Sequence, residues 1–202
     1  MYKLDVEAAK KADNKTQFIS ERGKYVGVFT RAEVIESSKG TEGVGFSFKS
    51  NDGQEARFDV YTRKSDGSLL MGYDAINAIM AVLKVREAAP KTATVKSWNP
   101  DTQALEDKQA ECLVDLMNKQ IGVLLYVEEY EKQDGSVGKG MRLYAPFQAD
   151  TELVASEVLN RETKPLKLEK LLAGMKDKPL KHSKQEALKM PPSDFDDQDI
   201  PW

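Results

Sequence analysis

Apolar and polar positions alternate along much of residues 24–37, where Val, Ile, Phe and Tyr are dense. That is the period of a half-buried strand. Residues 44–50 alternate strictly, with Val44, Phe46 and Phe48 on one face and Gly45, Ser47 and Lys49 on the other. Asn51-Asp52-Gly53 contains Asp-Gly, a strong hairpin signal. Residues 56–63 then return, with Phe58 and Val60 on one side and Arg57, Asp59, Tyr61 and Arg63 on the other. After the turn at Ser65-Asp66-Gly67 the period switches. Leu69, Tyr73, Ile76, Ile79, Met80 and Leu83 recur at steps of three and four, which predicts an amphipathic helix over 69–85. Pro90 closes that region, and residues 92–98 predict a short strand. A second strand pair, 121–132 and 141–147, flanks Gln133-Asp134-Gly135-Ser136. Residues 152–173 return to helical spacing, and 165–175 include a further helical stretch. From Lys176 the apolar content collapses, which predicts a flexible segment.

Two hairpin groups with one good helix between them predict a mainly β fold with some α. The expected architecture is an OB-type antiparallel β-barrel with an inserted helix and C-terminal helices. Such a barrel closes its sheet and so removes exposed edges. A ferredoxin-like sandwich is the structural rival. The expected domain organisation is a polar N-terminal extension (1–23), the barrel (24–175), a basic flexible linker (176–193) and an acidic tail (194–202).

Composition narrows the chemistry. The chain has 202 residues, enough for one domain and its appendages. One cysteine, Cys112, cannot form an internal disulfide or a cysteine-rich zinc site, and one histidine, His182, removes most His-based metal and triad chemistry. No apolar run approaches the ~20 residues of a membrane span. The N-terminal residues lack an apolar secretion core, so a cytoplasmic location is expected. The net charge of -3 is unevenly spread. Residues 161–190 carry nine Lys/Arg against four Asp/Glu, and the last nine residues hold four aspartates and no base. Charge blocks at a terminus are usually interaction segments. The remaining body is mildly acidic, so any basic groove must be a local patch.

The last nine residues are Asp194-Phe195-Asp196-Asp197-Gln198-Asp199-Ile200-Pro201-Trp202. They resemble the tail of bacterial single-stranded DNA-binding proteins, which end in several acidic residues followed by Ile-Pro-Phe. Here Trp202 stands in the final position and Gln198 interrupts the acidic run. The carboxylates repel DNA phosphate, while a terminal aromatic plus carboxylate makes a plug for an apolar pocket edged by Arg or Lys. Residues 24–85 and 121–131, with the helical 151–172, also resemble bacteriophage-encoded single-stranded DNA-binding proteins. Those are OB-fold accessory proteins of replication and recombination. The resemblance implies a non-enzymatic protein, without cofactor or metal, in the bacterial host cytoplasm at the replicating DNA. It would coat and protect single-stranded DNA without sequence preference. Asp194, Phe195, Asp196, Asp197, Asp199, Ile200, Pro201 and Trp202 would bind replication, recombination or repair proteins.

Single strands are held by aromatic faces and by Lys/Arg along the backbone. The candidate contacts are Arg57, Tyr61 and Arg63 on one strand and Arg142 and Tyr144 on another. Lys39, Lys49, Lys64, Lys132 and Lys139 lie at or near turns, and Trp98 stands beside Lys96 at a loop. Core packing competes for the aromatics, above all for Phe46, Phe48 and Phe58, whose faces are apolar throughout. Other motifs are weaker. Residues 40–45 lack the phosphate-loop Lys-Ser/Thr and read as a turn. Glu111 with Asp115, and Glu128, Glu129 and Glu131, offer carboxylates for a nuclease metal site without supporting histidines. An alternative of a different class is an adaptor that docks on host replication or repair enzymes through the tail and binds no DNA.

Overall fold

Strand-forming side chains at alternating positions produce the meander that the pattern predicts. β1 (Gly23–Glu36), β2 (Glu42–Ser50) and β3 (Glu55–Arg63) pair antiparallel in order. This is a computed structural model. It describes residues 3–6, 17–99, 104–132 and 134–180, with backbone alone at 97–99, 104 and 105. Phe46, Phe48 and Phe58 are buried beside Phe29, whose ring centroid is 4.6 Å from that of Phe46. The hairpin after β2 turns on Gly53 at φ 84°, a left-handed conformation that glycine adopts without penalty. β1 alternates only in part because its register against β2 shifts between Phe29 and Arg31. This bulge at Thr30 keeps both Phe29 and Ala32 in the core and turns Arg31 outward.

The helix α1 (Met71–Val82) buries Ile79 and Val82 against the core. It is shorter than 69–85 at both ends. Leu69 bridges to Arg63 of β3, and Lys84 adopts φ 56°, which ends the helical run. Two strands follow, β4 (Lys91–Asn99) and β5 (Ala104–Cys112), paired along their whole length. The sequence pattern missed β5. Its residues are mostly polar because Glu106, Asp107, Lys108 and Gln109 are exposed, and among its described side chains only Ala110 and Cys112 are buried. The hairpin joins the body through Cys112, opposite Glu33 of β1, and through a Leu113 N–H to Ala32 carbonyl bond of 2.8 Å. We refer to it as the arm.

β6 (Gln120–Glu131) runs antiparallel to the first half of β1, and β7 (Val137–Phe147) pairs with β6. β1 is therefore shared, with β6 beside its beginning and β5 beside its end. From Ile121 to Val127 the β6 sequence is continuously apolar because both faces are covered. Ile121, Val123 and Leu125 enter the main core. Leu124 and Tyr126 pack beneath the short helices α2 (Ala155–Leu159) and α3 (Leu168–Gly174), with Phe147, Val154, Leu168 and Met175.

The fold is mainly β with α, as expected, but the seven-stranded sheet does not close. β3 and β7 approach each other without a ladder, and α1 packs against both. The helix covers the opening, so closure of the hydrogen-bonded barrel is corrected. The strand arrangement remains compatible with an OB-type fold, to which the arm is an addition between α1 and β6. Residues 177 and 178 contact β6. Lys178 pairs with Glu128 in a parallel bridge, and the Asp177 carboxylate accepts from the Val127 N–H at 2.9 Å. At the other end, Ile19 lies in the core and its N–H bonds the Glu55 carbonyl at 2.8 Å. Residues 17–19 therefore pack on β3 at Glu55. Among the described residues no helix is long and apolar enough to cross a membrane.

Glu157 holds the C-terminal cover together. It is 2% exposed, and its carboxylate accepts the N–H groups of Val154, Leu166 and Lys167 at 3.0, 2.7 and 3.0 Å. Burial alone would raise its pKa, but the three donors and the Lys167 ammonium outweigh it and hold the carboxyl below the usual glutamate range. The charged form is thus favoured by folding. Its contribution is complete above the unfolded glutamate pKa of about 4.3 and is lost as pH falls through the lower folded value. Glu157→Ala leaves three donors without their acceptor and should cost about 2–4 kcal/mol in urea unfolding at pH 7. The difference from the wild type should shrink as the pH falls below about 4. A loss independent of pH would show that packing alone is responsible.

Candidate nucleic-acid interface

The outer face of the meander is set by the same alternation that buries its phenylalanines. Arg31 of β1, Ser47 of β2 and Arg57 of β3 occupy one row across the ladder. Lys49 lies two residues along β2, opposite Glu55. The arm stands over this surface, and Thr94, Val95 and Lys96 of β4 form the facing wall. Between them runs a cleft of about 330 Å³, lined also by Thr30 and Glu55.

The cleft gathers four cations from four strands. Arg31 is fixed by Glu33, with Nε 2.7 Å from Oε2. That contact is an ion pair only, for the N–H is not aimed at the carboxylate and Nε is buried without a hydrogen bond. Glu33 also receives Lys108 of the arm at 3.2 Å, so one carboxylate ties the arm to β1. Lys96 pairs with Asp107 across the arm at 3.5 Å. Lys49 and Arg57 are exposed and have no ion pair among the described residues. They are the cations most available to an incoming anion.

The remaining sequence candidates divide by position. Tyr61, Arg63, Lys39 and Lys64 lie toward the other end of the meander, where the Lys39 turn packs against the Lys64 turn through Gly40 and Ser65. Tyr61 is 37% exposed, and Arg63 is 3.9 Å from Glu42. Arg142 and Tyr144 sit on a different part of the sheet. Arg142 donates to Glu128 at 2.7 Å, and Tyr144 meets the buried Tyr126 edge-on at 6.3 Å. Lys178 lies 5.0 Å above the Tyr126 ring and 3.7 Å from Glu128, so this region is occupied by the C-terminal cover. Lys139 lies on β7 rather than at a turn and pairs with Glu129 at 3.4 Å. Lys132 flanks the exposed β6–β7 turn, its N–H bonded to the Ser136 carbonyl.

Trp98 stands opposite Leu105 in the arm's ladder, and its side chain is outside the described residues. Asp194, Phe195, Asp196, Asp197, Asp199, Ile200, Pro201 and Trp202 also lie outside them. The cleft thus keeps Lys49 and Arg57 from the sequence candidates and adds Arg31 and Lys96. Arg31 was hidden by the bulge, which breaks the period just before it. Lys96 gains its place only from the fold of the arm.

The acidic candidates go elsewhere. Glu111 accepts from Thr92 Oγ1 at 2.7 Å across the β4–β5 ladder, and Asp115 pairs with Lys91 at 3.1 Å. Among the described residues no three His, Cys, Asp or Glu side chains converge as a metal site would need. Cys112 is fully buried, and burial, helped by Glu33, pushes its thiol pKa up. The sequence matches no protein-family model, and no curated protein matches it at a significant level.

Proposed function

We propose that the chain binds single-stranded DNA without sequence preference, and that its acidic C-terminal segment recruits enzymes of replication, recombination or repair. The observation that carries the reading is the cleft between meander and arm, where Arg31, Lys49, Arg57 and Lys96 face one channel on an otherwise acidic body. Cations on both walls suit one phosphate backbone threaded between them. The tail resemblance supports the recruiting role, and the body resemblance supports an OB-type accessory protein of phage replication or recombination.

Competition between a labelled single strand and an unlabelled duplex of equal length tests the choice of nucleic acid. The single strand is expected to be retained against excess duplex, and equal displacement by duplex would contradict the reading. Deleting residues 194–202 should leave DNA affinity equal or higher, because the aspartates repel phosphate and compete for the same cations. The same deletion should abolish capture of partner enzymes. A truncated chain that lost DNA binding would overturn the competition. The adaptor reading is favoured by one observation: Arg63, Lys139 and Arg142 are each paired with a glutamate. It expects partner capture with no DNA binding even at low salt.

A further inference from the structure

Proteins that bind single strands without sequence preference usually hold them by stacking bases on aromatic rings. The described walls of the cleft contain no aromatic side chain. Apart from the Glu55 carboxylate, their polar groups are guanidinium, ammonium and hydroxyl, all donors to phosphate or sugar oxygens. The only apolar wall residue is Val95, which is 3% exposed and presents no flat face. Tyr61, the nearest candidate aromatic along β3, is four residues beyond Arg57, or about 13 Å along the strand. Tyr144 is covered on one side by Tyr126 and lies by α3, away from the cleft.

We infer that this cleft takes the sugar–phosphate backbone and leaves the bases outside it, an assignment that rests on the single-strand reading above. The spacing suits a repeating anion. Arg31 and Arg57 are separated by one intervening strand, which sets their Cα atoms about 10 Å apart with the Ser47 hydroxyl position between them. Lys49 lies about 7 Å from Ser47 along β2. Glu55 is the one carboxylate on the walls, and it stands opposite Lys49. Of the carboxylates nearby, Glu33 and Asp107 are each engaged with a cation, and Asp59 flanks the Arg31 guanidinium beside Gly45. The ligand chemistry is therefore a run of phosphodiesters on a flexible chain, with base identity and even base presence immaterial.

The test compares oligo-dT with an abasic deoxyribose-phosphate oligomer of the same length, as competitors for a labelled strand bound to the full chain. One stacked base contributes about 5- to 150-fold in affinity. A backbone-held strand should therefore let the abasic oligomer compete within about fivefold of oligo-dT. Lys49→Glu and Arg57→Glu, both at exposed positions, should weaken the two ligands by equal factors, and Tyr61→Ala should change neither. An abasic oligomer more than about fivefold weaker than oligo-dT would overturn the backbone assignment while leaving single-strand binding intact. Charge reversals that spare both ligands would place the strand outside the cleft and also overturn it. If oligo-dT itself does not bind, the single-strand reading fails and this inference with it.

Discussion

The double substitution Lys49→Glu, Arg57→Glu is expected to lower affinity for oligo-dT by about 100-fold or more at low salt. Both residues line the cleft on the outer face of the meander and lack a carboxylate partner among the described residues. Reversal therefore removes two cations and sets two anions against the phosphates. Neither change touches the core, since the inward positions beside them are Phe48, Ala56 and Phe58. Melting temperature should be nearly unchanged. The salt dependence should also flatten, because each lost phosphate contact removes about 0.7 from the slope of log K against log salt, or about 1.4 for two. Fluorescence anisotropy over a salt series reads both quantities. An affinity loss without a change in slope would mean that the substitutions act through the fold and not through charge.

Gly27→Ala is expected to have the largest effect on stability. Gly27 and Val28 pair on both sides at once, Gly27 with Ser50 of β2 and Ile121 of β6. The two sheet halves diverge from this point, and the backbones approach too closely for a side chain. A Cβ there would lie 2.0 Å from the Lys49 carbonyl oxygen and 2.7 Å from the Ser50 Cα. Both are backbone atoms and cannot rotate away, so the β1–β2 ladder must open. The cost should exceed about 4 kcal/mol, at the extreme of single substitutions. For a fold of ordinary stability this leaves little native protein at 37 °C. Gly53→Ala is the control. Its Cβ would meet nothing within 4 Å, and only the left-handed φ of 84° penalises it. That change should cost about 1 kcal/mol. Circular dichroism melts of the two variants should separate them widely, and similar melts would show that β1 has room to shift.

What could be read from the sequence was set by how regularly each segment buries one face. Residues 44–50 and 56–63 alternate without a break, and their strands and core phenylalanines followed directly. The helix over 71–82 was legible from its spacing, while its ends were fixed by local backbone events at Leu69 and Lys84. β5 was not legible, because a two-stranded arm exposed on most of its surface needs few apolar residues, and periodicity is visible only where burial demands it. The missing closure was equally hidden. Whether β3 and β7 pair depends on where α1 docks, which no local pattern records.

The cleft followed the same division. Lys49 and Arg57 were visible because they alternate with buried residues. Arg31 was displaced by a bulge, and Lys96 was brought opposite by tertiary folding of the arm. Arg142 and Tyr144 were visible for the same reason as Arg57 and Tyr61. The two pairs part company because β6 and β7 carry the C-terminal helices on their outer face.

The central claim is that a cationic cleft on this fold binds unpaired DNA through its phosphates. Titration of the intact chain with oligo-dT at several salt concentrations addresses it most directly. With about three phosphates neutralised in the cleft, log K should fall linearly with log salt at a slope near -2. Absence of binding at the lowest salt, or an affinity indifferent to salt, would contradict the claim.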